Sequence, residues 1–424
     1  MQAPWVAGVV VAACVLLSQG VSAAVPTRPS WMPEAPPLLA AGHMVEVATV
    51  EELDAAVRGA EDGDTIMVAD GTYQLSRLLH LRGRSNVTIR GASGDPSKVV
   101  ICGSGWDEAD ERLDLLVIRG CSDVTVAHMT FAEGRSYGIK LENLLFEGRG
   151  LKDINIYNCH FSNIGVRAIK GTGGDGQPLE GGSIRYCTFE NTRVPPRDWI
   201  FDGDYISGID CMRLKDWVIS DNSFRNIKGA NGGGRGAIFV WVESENVITE
   251  RNVFVNCDRS ICYGNPSGSS EHAARPHNTG GIIRNNFIVA GVDTGIEICW
   301  AKGVKVYHNT VLADAPGEAA GIHYHWQEIS DISIANNIVR GRIFGDEGGV
   351  AKENNLTEGI EDAWFRDASD GDLHLTDAAA AAMDRADPLA DCPTDFDGRQ
   401  RPGRERPSEE GKVDLGADEY AAGD

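Results

Sequence analysis

One phrase recurs eight times along the sequence, and this repeat constrains the fold more than any other feature. It consists of alternating apolar residues, a polar pair, and then an aromatic or aliphatic residue. The copies end at Phe131, Phe161, Phe189, Phe224, Phe254, Phe287, Val311 and Val339, so they follow one another every 24 to 35 residues. The alternation has a period of two, which is typical of a β-strand with one buried face. A repeat of this length predicts stacked units that bury their apolar faces against one another.

A second apolar element follows most copies of the phrase. It is a small residue followed by Ile, and it occurs at Gly138-Ile139, Ala168-Ile169, Gly208-Ile209, Ala237-Ile238, Ser260-Ile261, Gly295-Ile296 and Gly321-Ile322. No helical period of useful length separates the two elements, so each repeat is predicted to contribute a second short strand.

Two positions within the phrase would stack into columns if successive repeats lie in register. The residue two before the end of the phrase is Cys159, Cys187, Asn222, Asn252, Asn285, Asn309 or Asn337. The five asparagines predict a ladder of side-chain amides, and the terminal residues predict an interior aromatic and aliphatic column. These features predict an all-β fold, a right-handed parallel β-helix. A propeller would need four strands per longer repeat, and a leucine-rich repeat would need a Leu/Asn framework.

The segment that begins at Val50 adds a family resemblance. It reads Val50-Glu-Glu-Leu53, continues to Asp64-Thr65-Ile66 and is followed by Asp70-Gly-Thr-Tyr73. This run resembles the N-terminal cap of chondroitinase-B and alginate-lyase-type enzymes, which belong to the pectin-lyase-like β-helix superfamily. The resemblance implies a short N-terminal capping helix over the open end of the core. Residues 395–398 and 414–420 are similar to a tail of secreted β-helix proteins.

Repeats and resemblance together divide the chain into a signal peptide (1–24), a linker (25–44), a β-helix domain (45–345) and a C-terminal extension (346–424). The resemblance also suggests calcium, because chondroitinase-B-type lyases carry a Glu-x-Glu calcium site that Glu243-Ser-Glu245 matches superficially. Those lyases also carry a catalytic Lys on a strand, but the strand from Ile238 to Glu243 contains no Lys. No metal ligand is therefore assigned, and calcium stays an open option as the cofactor.

Charge and the N-terminus limit the partners and the location. The chain has 62 acidic and 39 basic side chains and a net charge of −23, so its overall field excludes nucleic acid as a partner. Residues 5–17 form an apolar run too short to span a bilayer, and small residues follow near Ala23. We expect a monomer that is secreted or periplasmic, with no membrane attachment after signal removal. Nine cysteines then remain without a Cys-x-x-Cys pair, which favours free, buried thiols.

The residue after each recurrent Ile should point outward, and equivalent positions should stack about 4.8 Å apart. That column contains Lys140, Lys170, Asp210, Phe239, Cys262, Glu297 and His323. The same face also gathers Trp241, Trp300, His325 and Trp326, with Arg167 and Arg259 two positions before their Ile. Sugar rings stack on aromatic faces and polar groups orient them, so we predict that this face is a carbohydrate-binding groove.

Each predicted site residue has a chemical role and a structural alternative. The predicted catalytic residues are Lys170, Asp210, Arg259, Glu297, His323 and His325. The predicted substrate-binding residues are Lys140, Arg167, Trp241, Tyr263, Trp300, Tyr324 and Trp326. Lys170 with Asp210 equally fits a solvated cross-strand ion pair. Glu297 with His323 fits such a pair or a dyad in which the carboxylate raises the imidazole pKa.

The residue types favour one reaction over another. β-Elimination needs a cation near the uronate carboxylate and a base at C5, and Lys170, Arg167, Arg259 and His323 supply those types. Hydrolysis needs two acids at most about 9.5 Å apart, whereas Asp210 and Glu297 lie three rungs, or about 14 Å, apart. We predict lyase or epimerase action on a uronic-acid-containing polysaccharide. A glycoside hydrolase that uses loop carboxylates and a non-catalytic carbohydrate-binding protein are the alternatives.

Overall fold

A computed structural model describes residues 25–106, 113–143, 145–146, 148–265, 276–314, 320–325, 329–346, 348–402 and 412–421. The predicted signal peptide and Trp326 lie outside these residues, so the structure does not test them. Within the described residues, no helix combines the length and the apolar character needed to cross a membrane.

Three parallel sheets run along the chain, and each turn of the coil adds a strand to them. The first sheet contains His43–Val47, Asp64–Val68, Ser85–Gly91, Ser122–Ala127, Lys152–Tyr157, Leu179–Arg185, Val218–Ser220, Ile248–Glu250, Ile282–Arg284, Lys305–Tyr307, Ile332–Ala335 and Val350–Glu353. A side strip of this sheet contains Leu214–Lys215, Ser244–Glu245, Asn278–Thr279 and Ala301–Lys302. The parallel strands of the coil therefore extend to Glu353.

The other two sheets each contain ten strands. The second sheet contains Leu79–Arg82, Leu116–Arg119, Tyr137–Glu142, Arg167–Thr172, Ser207–Met212, Gly236–Trp241, Ile261–Tyr263, Ile296–Cys299, Ile322–His325 and Ile343–Gly345. The third sheet contains Gly71–Gln74, Val99–Cys102, Thr130–Ala132, His160–Ser162, Thr188–Glu190, Ser223–Arg225, Val253–Cys257, Phe287–Ala290, Thr310–Leu312 and Ile338–Arg340. This is the right-handed parallel β-helix that the repeats predict, with one continuous apolar core inside the coil.

The phenylalanine column is confirmed over five turns. The rings of Phe131, Phe161, Phe189, Phe224 and Phe254 stack in order, with centroids 4.5–5.4 Å apart and interplanar angles of 5–13°. The predicted position of Phe287 in this column is wrong. Phe254 pairs with Ile288, so Ile288 occupies the interior and Phe287 points outward. The pairing from Ile248 with Ile282 to Val255 with Val289 keeps one offset, so this copy of the phrase ends at Ile288, one residue later than predicted. Neighbouring residues of a strand face opposite sides, which is why Phe287 is on the outside.

The same shift changes the asparagine ladder. Asn286, not Asn285, accepts the hydrogen bond from the side chain of Asn252 at 3.0 Å and donates to Asn309 at 2.9 Å. The ladder then continues through Asn337 to Asn355, one rung further than the repeats predict. Each amide oxygen also accepts a backbone N–H from the preceding rung, so the buried amides of the bend are paired with protein groups.

The capping helix is confirmed at Val50–Gly59. Thr49 and Glu52 form a reciprocal capping box, which satisfies the free N–H groups at the start of the helix. Leu53 and Val57 are buried within the main apolar core. The helix therefore closes the first turn, whose strand edges and core would otherwise face water.

Residues after Glu353 pack against the outside of the third sheet. They include the 3-10 turns Asp362–Trp364 and Asp377–Ala379 and the antiparallel pair Phe365–Asp367 and Asp372–Leu375. Phe287 stacks on Phe396 with centroids 4.0 Å apart, and Trp31 packs beside both rings. A second apolar core forms there, separate from the interior of the coil. All nine cysteines beyond the signal region are buried free thiols, as predicted.

Candidate functional site

The outward column of the second sheet lies in the predicted register. Pairing runs from Lys140 through Lys170, Asp210, Phe239, Cys262 and Glu297 to His323. Residues two positions further along each strand, among them Trp241, Cys299 and His325, share this outer face because side chains alternate along a strand. We call this outer face the groove face. It holds two networks of charged side chains, separated by the rungs of Phe239 and Cys262.

The first network surrounds Asp210. Its carboxylate accepts hydrogen bonds from Arg167 Nε at 2.7 Å, Lys170 Nζ at 2.9 Å and Trp241 Nε1 at 3.0 Å. Asp210 and Arg167 are each 1% exposed, so the solvated ion pair considered above is wrong. Burial acts to raise the pKa of Asp210, but the charges of Lys170 and Arg167 outweigh it and lower that pKa.

Arg167 cannot reach a ligand in this structure. The ring of Tyr205 covers its guanidinium, with Cζ 3.8 Å from the ring centroid. The prediction that Arg167 binds substrate directly is therefore corrected, since the arginine instead compensates Asp210 beneath the surface. The ammonium of Lys170, with 9% of its side chain exposed, is the cationic edge of this network.

The second network surrounds Glu297, whose side chain is 4% exposed. Its Oε2 accepts from an NH2 group of Arg235 at 2.7 Å, and its Oε1 lies 3.2 Å from Nε2 of His325. Although burial opposes ionisation, His325 and the arginines Arg235 and Arg259 lower the pKa of Glu297. The carboxylate is therefore a stable anion that holds a guanidinium and an imidazole side by side.

The expected dyad between Glu297 and His323 is corrected. The two residues pair in register, but the carboxylate reaches the diagonal neighbour His325 instead. His323 stacks on His325, with ring centroids 4.2 Å apart and planes 6° apart. Burial, followed by the neighbouring His325, lowers the pKa of His323 rather than raising it.

Arg235 is a site residue that the sequence prediction missed. It follows a glycine-rich segment and precedes the strand Gly236–Trp241, near the positions that Arg167 and Arg259 occupy before their own strands. The sequence signal that could have identified Arg235 is this position at the start of a groove-face strand, which it nearly shares with Arg167 and Arg259. Arg259 itself binds Asp293 at 2.7 Å rather than Asp258. Asp258 accepts backbone N–H groups of Gly229 and Gly234 and thereby holds the glycine-rich loop that carries Arg235.

Aromatic side chains line the groove face between the two networks. Trp241 stacks on Phe239 with centroids 5.0 Å apart, and His277 packs edge-on against Trp241 at 5.9 Å. Trp300 lies 5.8 Å from His277 and completes this group. The aromatic surface is partly exposed and suits the face of a sugar ring.

Three of the remaining predicted residues lie elsewhere. Tyr263 and Tyr324 point into the coil, where Tyr263 is fully buried and bonded to Thr249, so the prediction that they bind substrate is corrected. They alternate with Cys262 and His323, and only one member of each such pair can face outward. Lys140 lies towards the N-terminal end of the sheet and binds Glu142 at 2.7 Å.

Metal-ligating atoms meet in two groups of described side chains. Glu297, Cys299 and His325 bring such atoms within 4.8 Å, and so do His374, Asp397 and Asp418. In the first group burial raises the pKa of the Cys299 thiol, and Arg235 already binds Glu297. In the second, burial alone would lower the pKa of His374, but Asp372 and Asp397 raise it to about 9. A cation at either group would have to displace these protons, and we assign no ion to either.

The Glu-x-Glu pair does not fit calcium either. Glu243 and Glu245 border a cavity of about 490 Å³ together with Arg213 and Lys215. Arg213 Nε donates to the Glu243 carboxylate at 3.1 Å. Two cations at this cavity already compensate the acids that a calcium ion would need.

The chain is similar to several solved structures at low sequence identity. An alginate lyase from Paenibacillus sp. str. FPU-7 has a TM-score of 0.46 and 16% identity, covering 75% of this chain and 98% of that chain. A mannuronic acid specific family 6 lyase from the human gut microbiota has a TM-score of 0.39 and 10% identity, covering 78% of this chain and 90% of that chain. PfbA, a surface adhesin of Streptococcus pneumoniae, has a TM-score of 0.46 and 13% identity, covering 73% of this chain and 86% of that chain. No protein-family model matches the sequence, and no curated protein does.

Proposed function

We propose that this protein cleaves a uronic-acid-containing polysaccharide by β-elimination at the groove face. The observation that carries the proposal is the bridge that Glu297 makes between Arg235 and His325. Removal of a proton next to a carboxylate needs a cation for the developing charge and a base for the proton. The Glu297 bridge brings one group of each type together beside an aromatic surface.

The proposed reaction begins with capture of the uronate carboxylate by Arg235, with Lys170 providing further positive charge along the chain. In the tautomer whose Nε2–H donates to Glu297, Nδ1 of His325 is the basic nitrogen, and we assign it the C5 proton. The electron pair of the C5–H bond forms the C4–C5 double bond as the C4–O bond breaks. The leaving oxygen then takes a proton from water or from the imidazolium. The lowered pKa of His323 keeps that ring neutral, so it adds no like charge beside His325.

Hydrolysis by paired carboxylates fits the groove face less well than elimination does. Asp210 and Glu297 are separated by three rungs, and each accepts hydrogen bonds from two or more side chains. A general acid needs a raised pKa, whereas the pKa of each of these carboxyls is lowered. Elimination needs no protonated carboxyl, so the ionised forms of Asp210 and Glu297 are compatible with it.

We infer that residues 1–24 direct export and that the mature protein acts as a monomer on a polysaccharide outside the cytoplasm. Calcium has no place in the proposed steps, because Arg213 and Lys215 already accompany the two acids that resemble a calcium site. Addition of a chelator is therefore expected to leave the rate unchanged.

The experiment incubates the full chain with a panel of acidic and neutral polysaccharides and follows both the ultraviolet absorbance of unsaturated uronate and the number of reducing ends. A rise in both supports elimination. Reducing ends alone would establish a hydrolase, and deuterium uptake at C5 without cleavage would establish an epimerase. Retention on a glycan column with none of these changes would leave a binding protein, and each of these last three outcomes overturns the proposal.

Variants locate the reaction on the groove face. His325→Ala is expected to lower kcat by at least about 100-fold, the usual contribution of a general base. Arg235→Gln should reduce kcat/KM on uronate chains, because it removes the charge opposite the carboxylate. His43→Ala is the matched control, since this histidine is on the first sheet with 79% of its side chain exposed. Full activity in His325→Ala would exclude this residue as the base.

A further inference from the structure

A cavity of about 320 Å³ lies at the edge of the second sheet, outside the two charged networks. Its walls come from the turns before three successive strands, those that begin at Tyr137, Arg167 and Ser207. The residues that line it are Arg135, Gly165, Val166, Pro195, Asp198, Trp199, Ile200, Gly203 and Tyr205. Its size is at the low end of ligand pockets, and the mix of aromatic, apolar and few charged side chains is typical of them.

The aromatic wall of this cavity is held in place from several sides. Trp199 packs against Trp106 with ring centroids 5.5 Å apart, and the guanidinium of Arg135 lies 5.1 Å from the ring of Trp199. Gly165 permits this position, because a Cβ there would come within 2.6 Å of the indole. The ring is therefore pre-oriented, and it stays partly exposed where it lines the cavity.

The loop that carries Trp199 has unusual backbone conformations. Phe201 and Asp202 both adopt the left-handed region, with φ of 53° and 54°. Two consecutive residues other than glycine in this region are costly, and such strain tends to persist at ligand-binding and catalytic sites. Asp204, which follows, accepts the backbone N–H of Asn231 and ties the loop to the glycine-rich segment before Arg235.

Tyr205 connects the cavity with the groove face. One side of its ring lines the cavity, and the guanidinium of Arg167 lies 3.8 Å from its centroid. Arg167 in turn binds Asp210 and thus belongs to the first charged network. A saccharide that lies along the groove face would therefore pass Tyr205 to place a further unit against Trp199.

We propose that this cavity, the Trp199 pocket, is a saccharide subsite that binds a single pyranose ring beyond the cleavage position. The ring stacks on Trp199, the carboxylate of Asp198 accepts hydroxyl groups, and Arg135 donates to a hydroxyl or to a uronate carboxylate. This inference rests on the proposed function for its substrate class. It can be tested without the proposed elimination, because a single methyl uronide carries no sugar on O4 to be expelled.

The experiment titrates the full chain with methyl glycosides of hexuronic acids and of the matching neutral hexoses, and follows saturation-transfer NMR and tryptophan fluorescence. Trp199→Ala is expected to weaken binding at least about tenfold, and Trp199→Phe to weaken it less, because a smaller ring remains. Val194→Ala is the matched control, since Val194 is on the same loop, is 48% exposed and is not among the residues that line the pocket. Circular dichroism of each variant checks that the coil is intact.

The outcomes separate this proposal from the proposed function. Trp199-dependent binding of either kind of glycoside supports the subsite, and binding of the uronates alone assigns Arg135 to the carboxylate. These results would stand even if no polysaccharide were cleaved. Binding that is lost in Trp241→Ala but retained in Trp199→Ala would place the ring in the groove and overturn the subsite. Absence of binding by every glycoside would overturn it as well.

Discussion

Asp210 and Glu297 show how single carboxylates organise the groove face. Asp210 collects Arg167, Lys170 and the indole of Trp241, while Glu297 collects Arg235 and His325. Both carboxylates are at least nine-tenths buried, and buried charges are tolerable only when they are paired and hydrogen-bonded. Positive charge thus gathers locally on an acidic protein without leaving an isolated cation in the interior.

Asp210→Asn should destabilise the fold, because it leaves the charge of Arg167 buried without its partner. We expect a loss of about 3–5 kcal/mol in the free energy of unfolding, measured by urea titration. Glu142→Gln is the comparison, since it breaks the more exposed pair with Lys140 and should cost at most about 1 kcal/mol. Equal effects of the two variants would show that the Asp210 network does not behave as a buried one.

At the scale of single elements, each short strand contributes one residue to each column of its own sheet. A strand of three to six residues cannot bury much surface alone, so the columns provide the stability. The interior phenylalanines stack ring on ring, and the asparagine ladder bonds every bend to the next. Beyond Phe254 the interior column continues with the aliphatic side chains of Ile288 and Val311.

The ladder predicts a cost for losing one amide. Asn286 accepts from the backbone and side chain of Asn252 and donates to the carbonyls of Thr249 and Arg284. Asn286→Ala leaves those buried groups unsatisfied, so we expect a loss of about 1–3 kcal/mol in the free energy of unfolding. Asn155→Ala, on the outside of the first sheet, should have little effect on the urea midpoint, and a similar loss there would contradict the ladder argument.

At the scale of the whole molecule, the segment after the coil is joined to it by an apolar core and by buried charges. His374 lies between Asp372 and Asp397, and its ring packs edge-on against Phe287 of the third sheet. Asp418 accepts the backbone N–H of Leu375 and so ties residues 412–421 into the same network. This segment covers the outer face of the third sheet, while the groove face on the second sheet stays open.

The His374 network predicts a stability that depends on pH. Burial acts against protonation, but Asp372 and Asp397 raise the pKa of His374 to about 9 in the folded protein. Protonation therefore stabilises the fold fully below the unfolded pKa of about 6.5, and this contribution is lost as pH rises through about 9. Glu419, whose pKa burial raises to about 8, adds a loss in the same direction at lower pH.

Thermal unfolding between pH 6 and pH 10 measures this dependence. The melting temperature should fall across that range in the unmodified chain, and His374→Gln should flatten the part of the curve above about pH 6.5. A curve with the same slope in both proteins would mean that His374 does not link the segment to the coil.

The sequence by itself determined the coil, its capping helix, the buried free cysteines and the outward column of the second sheet. These follow from period-two alternation and a repeat length, which are local properties that survive small errors of alignment. It could not determine that the sixth copy of the phrase ends at Ile288 rather than at Phe287, since both residues are apolar and either could fill the core. The tertiary structure alone decided that Arg235 joins Glu297, that His325 rather than His323 contacts that carboxylate, and that Arg167 lies beneath Tyr205. Those pairings depend on the reach and lean of side chains between rungs and on loops that fold over the sheet edge, neither of which a one-dimensional pattern encodes.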